Sequence, residues 1–175
     1  MGSTIMGDAL ARWNRLSAEE AVNEIGACCG SRAWARRMAN RRPIADEALL
    51  LRASDEVWGS LSEQDWIEAF QSHPRIGYSR PAQGLDYRSA AWSSEEQRKV
   101  HEEADSVKAA LEEGNQEYEK RFGRIFLVCA TGKTGSEILE ILRHRLDNDR
   151  ATEMKEAVEQ QRQITRLRLQ RWLAE

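Results

Sequence analysis

The sequence predicts an all-α fold of about seven or eight helices in a single domain. Three observations lead there: apolar residues recur at helical spacing, β-branched residues are sparse, and proline occurs only at positions 43, 74 and 81. The length of 175 residues suits one ordinary domain, and an apolar share of 41% is enough for a sizeable core. We therefore take residues 1–175 as one domain that starts with an N-terminal arm, residues 1–15.

Helical segments follow one another along the chain. The pattern Ser17–Glu20 is a capping box that opens a helix, and the prolines and glycines of residues 74–92 predict a long loop. Residues 125–130 are a short apolar run, either extended or the buried start of another element. Further helices are predicted at 31–40, at 46–61, in a short segment from residue 62, at 94–121 with a break near residue 114 left open, at 136–146 and at 150–173.

Charge and composition exclude several classes of function. A net charge of −3 gives no electrostatic reason to expect nucleic acid or an anionic membrane as a partner. No stretch approaches 18 consecutive apolar residues, and Met1–Leu10 lacks the pattern of a secretory signal. The cysteines (28, 29, 129) and histidines (73, 101, 144) show no metal-ligand spacing. We expect a cytoplasmic protein without a membrane span or a metal site.

The first candidate for chemistry is His73, in the segment Ser72-His73-Pro74. Because proline disfavours helical geometry in the residue before it, we expect the preceding helix to end at His73. The dipole at a helix C-terminus favours a protonated imidazole, which suits a general acid or base. The alternative is that His73 only caps the helix.

The second candidate is the segment Ser93–Gln97. Ser93 and Glu96 have the spacing of a capping box, which would put them at a helix start. A helix N-terminus also offers free N–H groups to an anionic ligand. The segment can therefore be a cap, part of a binding site, or both.

The third candidate is Arg168. On an ideal helix it lies within about 40° of Met154, Ala157, Ile164 and Trp172, which define an apolar stripe. A buried arginine is costly unless it is paired or meets an anion. The alternative is that its long side chain reaches the surface near the helix end.

Together these segments resemble the 2-oxo-4-hydroxy-4-carboxy-5-ureidoimidazoline (OHCU) decarboxylases. No single match is decisive, but the ordered set is specific and covers about residues 16–172. The matching stretches are Trp34-Ala35 through Arg42-Pro43, Phe70–Gly77, Ser93–Gln97, Tyr118–Ala130, Arg145–Asn148 and Ile164–Leu169.

The resemblance implies a homodimeric all-α lyase that needs no cofactor or metal and converts a small ureidoimidazoline substrate into (S)-allantoin, the last step of urate breakdown. By motif match, His73 and Glu96 take the family's catalytic positions, and Arg168 takes that of the arginine that contacts the substrate. Positions implied to contact the substrate are Pro74, Ser93, Gln97 and the backbone of Phe126, Leu127, Val128, Cys129 and Ala130.

Two departures from the family pattern are visible. Arg124 replaces an aromatic or apolar residue, and it either alters the pocket wall or points to solvent. The loop over residues 78–92 is longer than in some relatives.

Three other functions stay open. A non-enzymatic helical interaction protein would have a basic face and no pocket. A Cys–His hydrolase using Cys129 and His73 would be inactivated by thiol alkylation, although a cysteine in an apolar run is more often structural. The third is a family member whose activity has moved to a related ureide.

Overall fold

A computed structural model of the protein describes residues 7–77 and 87–175. These residues form ten α-helices and no strand, so the all-α class is confirmed and the expected count of seven or eight is too low. The chain divides into two compact units: unit 1 (Met1–Ala69 and Arg162–Glu175) and unit 2 (Phe70–Gln161). The helices are α1 (Asp8–Arg15), α2 (Ala18–Ile25), α3 (Arg32–Asn40), α4 (Glu47–Gly59), α5 (Glu63–Gln71), α6 (Tyr87–Glu96), α7 (Arg98–His101), α8 (Asp105–Phe122), α9 (Gly135–Leu146) and α10 (Arg150–Leu173).

Unit 1 is built around α1–α4, with α2 packed against α3 and α3 against α4. The predicted capping box is confirmed, since the Ser17 hydroxyl accepts from the Glu20 N–H and the Glu20 carboxylate accepts from the Ser17 N–H. Two tryptophans form the centre of its core: the rings of Trp13 and Trp172 meet edge to face, with centroids 6.0 Å apart.

Unit 2 has its own core, formed where α8 packs against α9. Tyr118 lies between Phe122 and Phe126, with ring centroids 4.6 Å and 5.4 Å away. Gly114 does not break α8. A Cβ at this position would lie 2.6 Å from the Leu142 side chain, so the glycine allows the close approach of α9.

The region between α5 and α8 differs most from the expected pattern. Helix α6 begins at Tyr87, inside the predicted loop 74–92, while residues 78–86 lie outside the described residues. The single helix expected over 94–121 is instead the end of α6, the short α7 and α8, with turns at Gln97 and over 102–104. Part of the expected N-terminal arm forms α1. None of the helices in the described ranges has the length and apolar character needed to cross a bilayer.

Candidate active site

His73 lies directly beyond the end of α5, as the sequence predicted. The helix ends at Gln71, and the His73 N–H donates to the Phe70 carbonyl at 3.3 Å in the closing turn. Pro74 follows and prevents the helix from continuing. The side chain is turned inward, because His73 is only 7% exposed.

The His73 ring is held by an amide that sequence reasoning missed. Its Nε2 lies 2.7 Å from Oε1 of Gln161, a residue of α10 that is 0% exposed. Because Oε1 only accepts hydrogen bonds, this contact favours a ring form that carries a proton on Nε2. The sequence contained a signal for Gln161: it lies at helical spacing from Ala157 and Ile164, on the buried face of α10.

The turn after His73 is fixed by side chains from other segments of unit 2. The Gly77 N–H donates to Oε1 of Gln97 at 3.0 Å, and the Asn115 side chain donates to the Ile76 carbonyl at 3.0 Å. Gly77 has a φ of 87°, which favours glycine. Arg75 forms an ion pair with Glu119 through two nitrogens: Nε lies 3.0 Å and 3.2 Å from the two carboxylate oxygens, and Nη2 lies 2.9 Å from one of them.

The segment Ser93–Gln97 ends a helix rather than starting one, so the expected capping box between Ser93 and Glu96 is wrong. Both residues lie in the last turn of α6, and Ser93 is buried there. Gln97 stands at the N-cap position of α7, but its side chain makes no capping bond because it accepts from Gly77 instead. The spacing matched a capping box, but the helix had already begun at Tyr87.

Glu96 faces the neighbourhood of Cys129. Burial raises the pKa of the Cys129 thiol above its usual value, the Lys133 ammonium works in the opposite direction, and the Glu96 carboxylate adds to the rise. The Lys133 ammonium also donates to the Cys129 carbonyl at 2.7 Å. A thiol with a raised pKa is a poor nucleophile near neutral pH, which weighs against the Cys–His hydrolase.

Residues 126–130 form a buried segment without helix or strand, which joins α8 to the turn before α9. The Cys129 N–H donates to Oε1 of Gln160 at 2.8 Å, and the Leu127 carbonyl accepts from Arg145. Within the described ranges no residue hydrogen-bonds the backbone of Val128, which lies between these two anchored residues.

A buried ion pair between Arg145 and Glu153 is hydrogen-bonded to the segment 126–130. Arg145 donates to both the Leu127 carbonyl and the Glu153 carboxylate, and Glu153 is 0% exposed. The Tyr118 hydroxyl also donates to Glu153, and burial together with this hydrogen bond raises the Tyr118 pKa. The sequence had put Met154 on the buried stripe of α10, but that residue is only partly buried and Glu153 occupies the position instead.

Arg168 belongs to unit 1, where it is 2% exposed, so its side chain does not reach the surface. Its Nη1 donates to the Ala27 carbonyl at 3.1 Å. The guanidinium also acts on Cys29: burial raises the pKa of that thiol to about 12, and Arg168 is among the groups that oppose the rise. His73, Glu96 and residues 126–130 belong to unit 2.

Among the described residues, no group of three or more His, Cys, Asp or Glu side chains is arranged to hold a metal ion.

Comparisons with known proteins all lead to one family. The sequence matches the family model described as OHCU decarboxylase over residues 14–170. It is 33% identical over 155 residues to the uric acid degradation bifunctional protein TTL of Arabidopsis thaliana. This match covers 88% of this chain and 48% of that protein. It is 24% identical over 165 residues to the 2-oxo-4-hydroxy-4-carboxy-5-ureidoimidazoline decarboxylase of Haloferax volcanii, covering 91% and 93% of the two chains.

The fold is similar to a crystal structure of an OHCU decarboxylase in the presence of (S)-allantoin. The TM-score is 0.74 at 29% identity, and the match covers 87% of this chain and 99% of the other. The chain spans only 48%, 31% and 31% of the lengths of three bifunctional urate-degradation proteins that it matches.

Proposed function

Because the chain belongs to the OHCU decarboxylase family, we propose that it removes CO₂ from OHCU and forms (S)-allantoin, the last step of urate degradation. The observation that carries the proposal is His73, a buried histidine at the position where the family has its catalytic histidine. Its ring is fixed by Gln161, and the turn that follows is fixed by Gln97 and Asn115. Such fixed geometry is what a positioned proton donor needs.

The substrate itself can supply the electron sink. Decarboxylation breaks the bond between ring carbon 4 and the carboxylate, and the electron pair passes towards the imino group at ring carbon 5. The imino nitrogen and carbon 5, which carries the ureido group, each receive a proton, while the 4-hydroxyl loses its proton and becomes a carbonyl, so that one proton is taken up overall. The products are CO₂ and allantoin, so this chemistry requires no pyridoxal or thiamin cofactor.

His73 is the group we assign to the proton at carbon 5. Gln161 holds Nε2 and fixes the orientation of the imidazole, and we assign the proton exchange with the substrate to this ring. Delivery to one face of the planar intermediate gives the S configuration. Loss of a general acid or base of this kind costs on the order of 10²–10⁴ in rate.

Glu96 and its neighbours are assigned to the substrate's polar groups. By its match to the family's catalytic position, the Glu96 carboxylate is assigned to accept hydrogen bonds from substrate N–H or O–H groups. Pro74, Ser93 and Gln97 complete this part of the proposed site. Their support is the match to the family's motifs together with the burial of Ser93 and Gln97.

Arg168 is assigned to the substrate's oxygens, and the backbone of the buried segment 126–130 is assigned to its polar edges. A buried guanidinium stabilises the negative charge that develops as the carboxylate leaves. The backbone of Phe126, Leu127, Val128, Cys129 and Ala130 lines the other part of the site. The unengaged backbone of Val128 supports this assignment, because buried N–H and C=O groups usually have partners.

Three further features belong to the proposal. Residues 1–175 form one OHCU decarboxylase-like domain, supported by a single family match that runs through both units. The protein is a homodimer, as the family resemblance implies. It works in the cytoplasm, which fits three free, buried cysteines in a reducing compartment.

The test is a coupled reaction read by circular dichroism. Urate is treated with uricase and hydroxyisourate hydrolase, with and without this protein, and the optical activity of the allantoin is followed because OHCU also decays spontaneously. We expect an excess of (S)-allantoin only when the protein is present. Racemic allantoin in both reactions would rule out the function.

Variants assign the activity to the site. His73→Ala should lose the enantiomeric excess and keep its fold. The matched control is His144→Ala, because His144 is exposed on α9 and has no assigned role. If His73→Ala turns over freshly made OHCU at nearly the normal rate, the assignment of His73 is wrong.

A further inference from the structure

Arg124 carries a guanidinium that the assignments above do not use. The residue is partly buried, and its central carbon lies 6.0 Å from the ring centroid of Phe70 and 5.9 Å from that of Phe122. Two of its nitrogens, Nε and Nη2, are buried and have no hydrogen-bond partner within the described part of the chain. The side chain therefore does not simply point to solvent, which was one of the two alternatives for this position.

The two unpartnered nitrogens form a matched pair. Nε and Nη2 lie on the same edge of the planar guanidinium, and their N–H bonds point in the same direction. This edge fits the two oxygens of a carboxylate, which accept both hydrogen bonds at once. Burying such donors without an acceptor costs free energy, so the arrangement favours a ligand that supplies one.

The surrounding charges also favour an anion. The other buried guanidinium of this core, Arg145, is already neutralised by Glu153. Arg124 forms no ion pair with any residue of the described ranges, and its charge is near enough to act on the pKa of Tyr118. The aromatic cluster thus holds two guanidinium groups and one carboxylate, which leaves one positive charge to be compensated.

The position of Arg124 connects this edge with the proposed site. Phe70, on one side of the guanidinium, lies in the last turn of α5, three residues before His73. Along the chain, Arg124 comes two residues before Phe126, where the buried segment 126–130 begins. Arg124 is thus near one segment that carries proposed substrate contacts in space and next to another in sequence.

We propose that the Nε/Nη2 edge of Arg124 is a carboxylate-binding site, and that the carboxylate it takes is the substrate's. The second half of this statement rests on the proposed function. Arg124 then determines substrate affinity at a position where the family more often has an aromatic or apolar residue. The two buried donors have no partner in the protein alone, and the ligand's carboxylate supplies one.

The test uses Arg124→Met, which keeps the length of the side chain and removes the charge. Because two unpartnered buried donors disappear, we expect the melting temperature to rise by about 2–4 °C. Because the carboxylate loses its partner, we expect KM for OHCU to rise at least tenfold. Arg121→Met is the matched control: this neighbour stacks on Phe122 but donates to the Asn148 carbonyl, so its loss should lower the melting temperature and leave KM unchanged.

A second arm separates the substrate's carboxylate from a free one. The melting temperature of the parent protein and of Arg124→Met is measured in sodium acetate and in sodium chloride at equal concentration. A higher KM in Arg124→Met supports the proposal as stated. An unchanged KM, with acetate stabilising the parent and not the variant, supports the carboxylate site and overturns its assignment to the substrate.

Two results overturn the site itself. One is a fall in the melting temperature of Arg124→Met, which would mean that Arg124 makes a structural contact. The other is an unchanged KM together with equal responses to acetate. If the parent protein gives no enantiomeric excess, the proposed function has failed, and the acetate arm still decides whether the carboxylate site exists.

Discussion

The contact between His73 and Gln161 gives the sharpest test of the proposed chemistry. Gln161→Leu removes the acceptor that lies 2.7 Å from Nε2 and keeps a side chain of similar size in a fully buried position. The ring then has a buried donor without a partner, and the productive tautomer and orientation lose their support.

The size of the effect follows from that lost contact. A buried donor left without a partner costs roughly 1–3 kcal/mol, and about 1.4 kcal/mol corresponds to a factor of ten. If this free energy is lost from the productive state of His73, kcat falls by about tenfold to a hundredfold. KM should change little, because Gln161 touches the histidine and not the substrate in this proposal.

The assay combines kinetics with a direct measurement of the ring. Initial rates of (S)-allantoin formation give kcat and KM, and ¹⁵N NMR of labelled His73 reports which nitrogen carries the proton. In the parent protein the proton should be on Nε2, and in Gln161→Leu the ring should show a mixture of tautomers. Gln161→Glu keeps an oxygen acceptor at the same position and should retain more activity than the leucine variant.

The control is Gln170→Leu, on the exposed side of the same helix, where the lost partner is Glu47. This variant should leave kcat within a factor of about two, as expected for a surface change that touches no buried contact. A folded Gln161→Leu protein with normal kcat and a single tautomer on Nε2 would refute the reasoning.

Two further predictions concern buried groups of unit 2. Arg145→Met leaves the Glu153 carboxylate buried without its partner, so the free energy of unfolding measured in urea titrations should fall by about 3–5 kcal/mol. The double variant with Glu153→Leu should recover a large part of this loss. Equal losses in the single and double variants would contradict the prediction. Because burial raises the pKa of Cys129, less thiolate is present at pH 8 than in a free cysteine. Mass spectrometry should therefore show that Cys129 reacts with iodoacetamide more slowly in the native protein than in the unfolded chain. Rapid loss of activity on alkylation of Cys129 would instead favour the hydrolase.

The sequence predicted well wherever a local signal decides the structure. Ser17 caps α2 as expected, the helices predicted over 31–40 and 46–61 begin after the N-caps Ser31 and Asp46, and Pro74 follows the end of α5. Helical spacing also put Arg168 on the apolar stripe of the last helix, and of the two alternatives left open there the structure shows the buried one. These features depend on neighbours one or two turns away, which a single sequence contains.

The missed features depend on contacts between distant residues. Gln161 reaches His73 across 88 positions, and helical spacing puts this glutamine on a buried face without indicating which distant side chain it contacts. The spacing of Ser93 and Glu96 matched a capping box, but helix α6 begins earlier, at Tyr87, and both residues lie in its last turn. Glu153 was overlooked in favour of Met154, because apolar periodicity cannot anticipate that Arg145 and Tyr118 will satisfy a buried carboxylate.

The hydrogen bond from Gly77 to Gln97 also decides what Gln97 can read in a ligand. An amide side chain has one face that accepts and one that donates, and here the accepting oxygen is committed to the backbone of the turn. The oxygen keeps a second lone pair, whereas the NH₂, which donates to an oxygen or an unprotonated nitrogen, takes no part in holding the turn. A ligand N–H would have to share this oxygen with the Gly77 N–H, while a ligand oxygen can meet the NH₂ without competition from the turn, so the contact that holds the turn beside His73 also favours a ligand with an acceptor at this point.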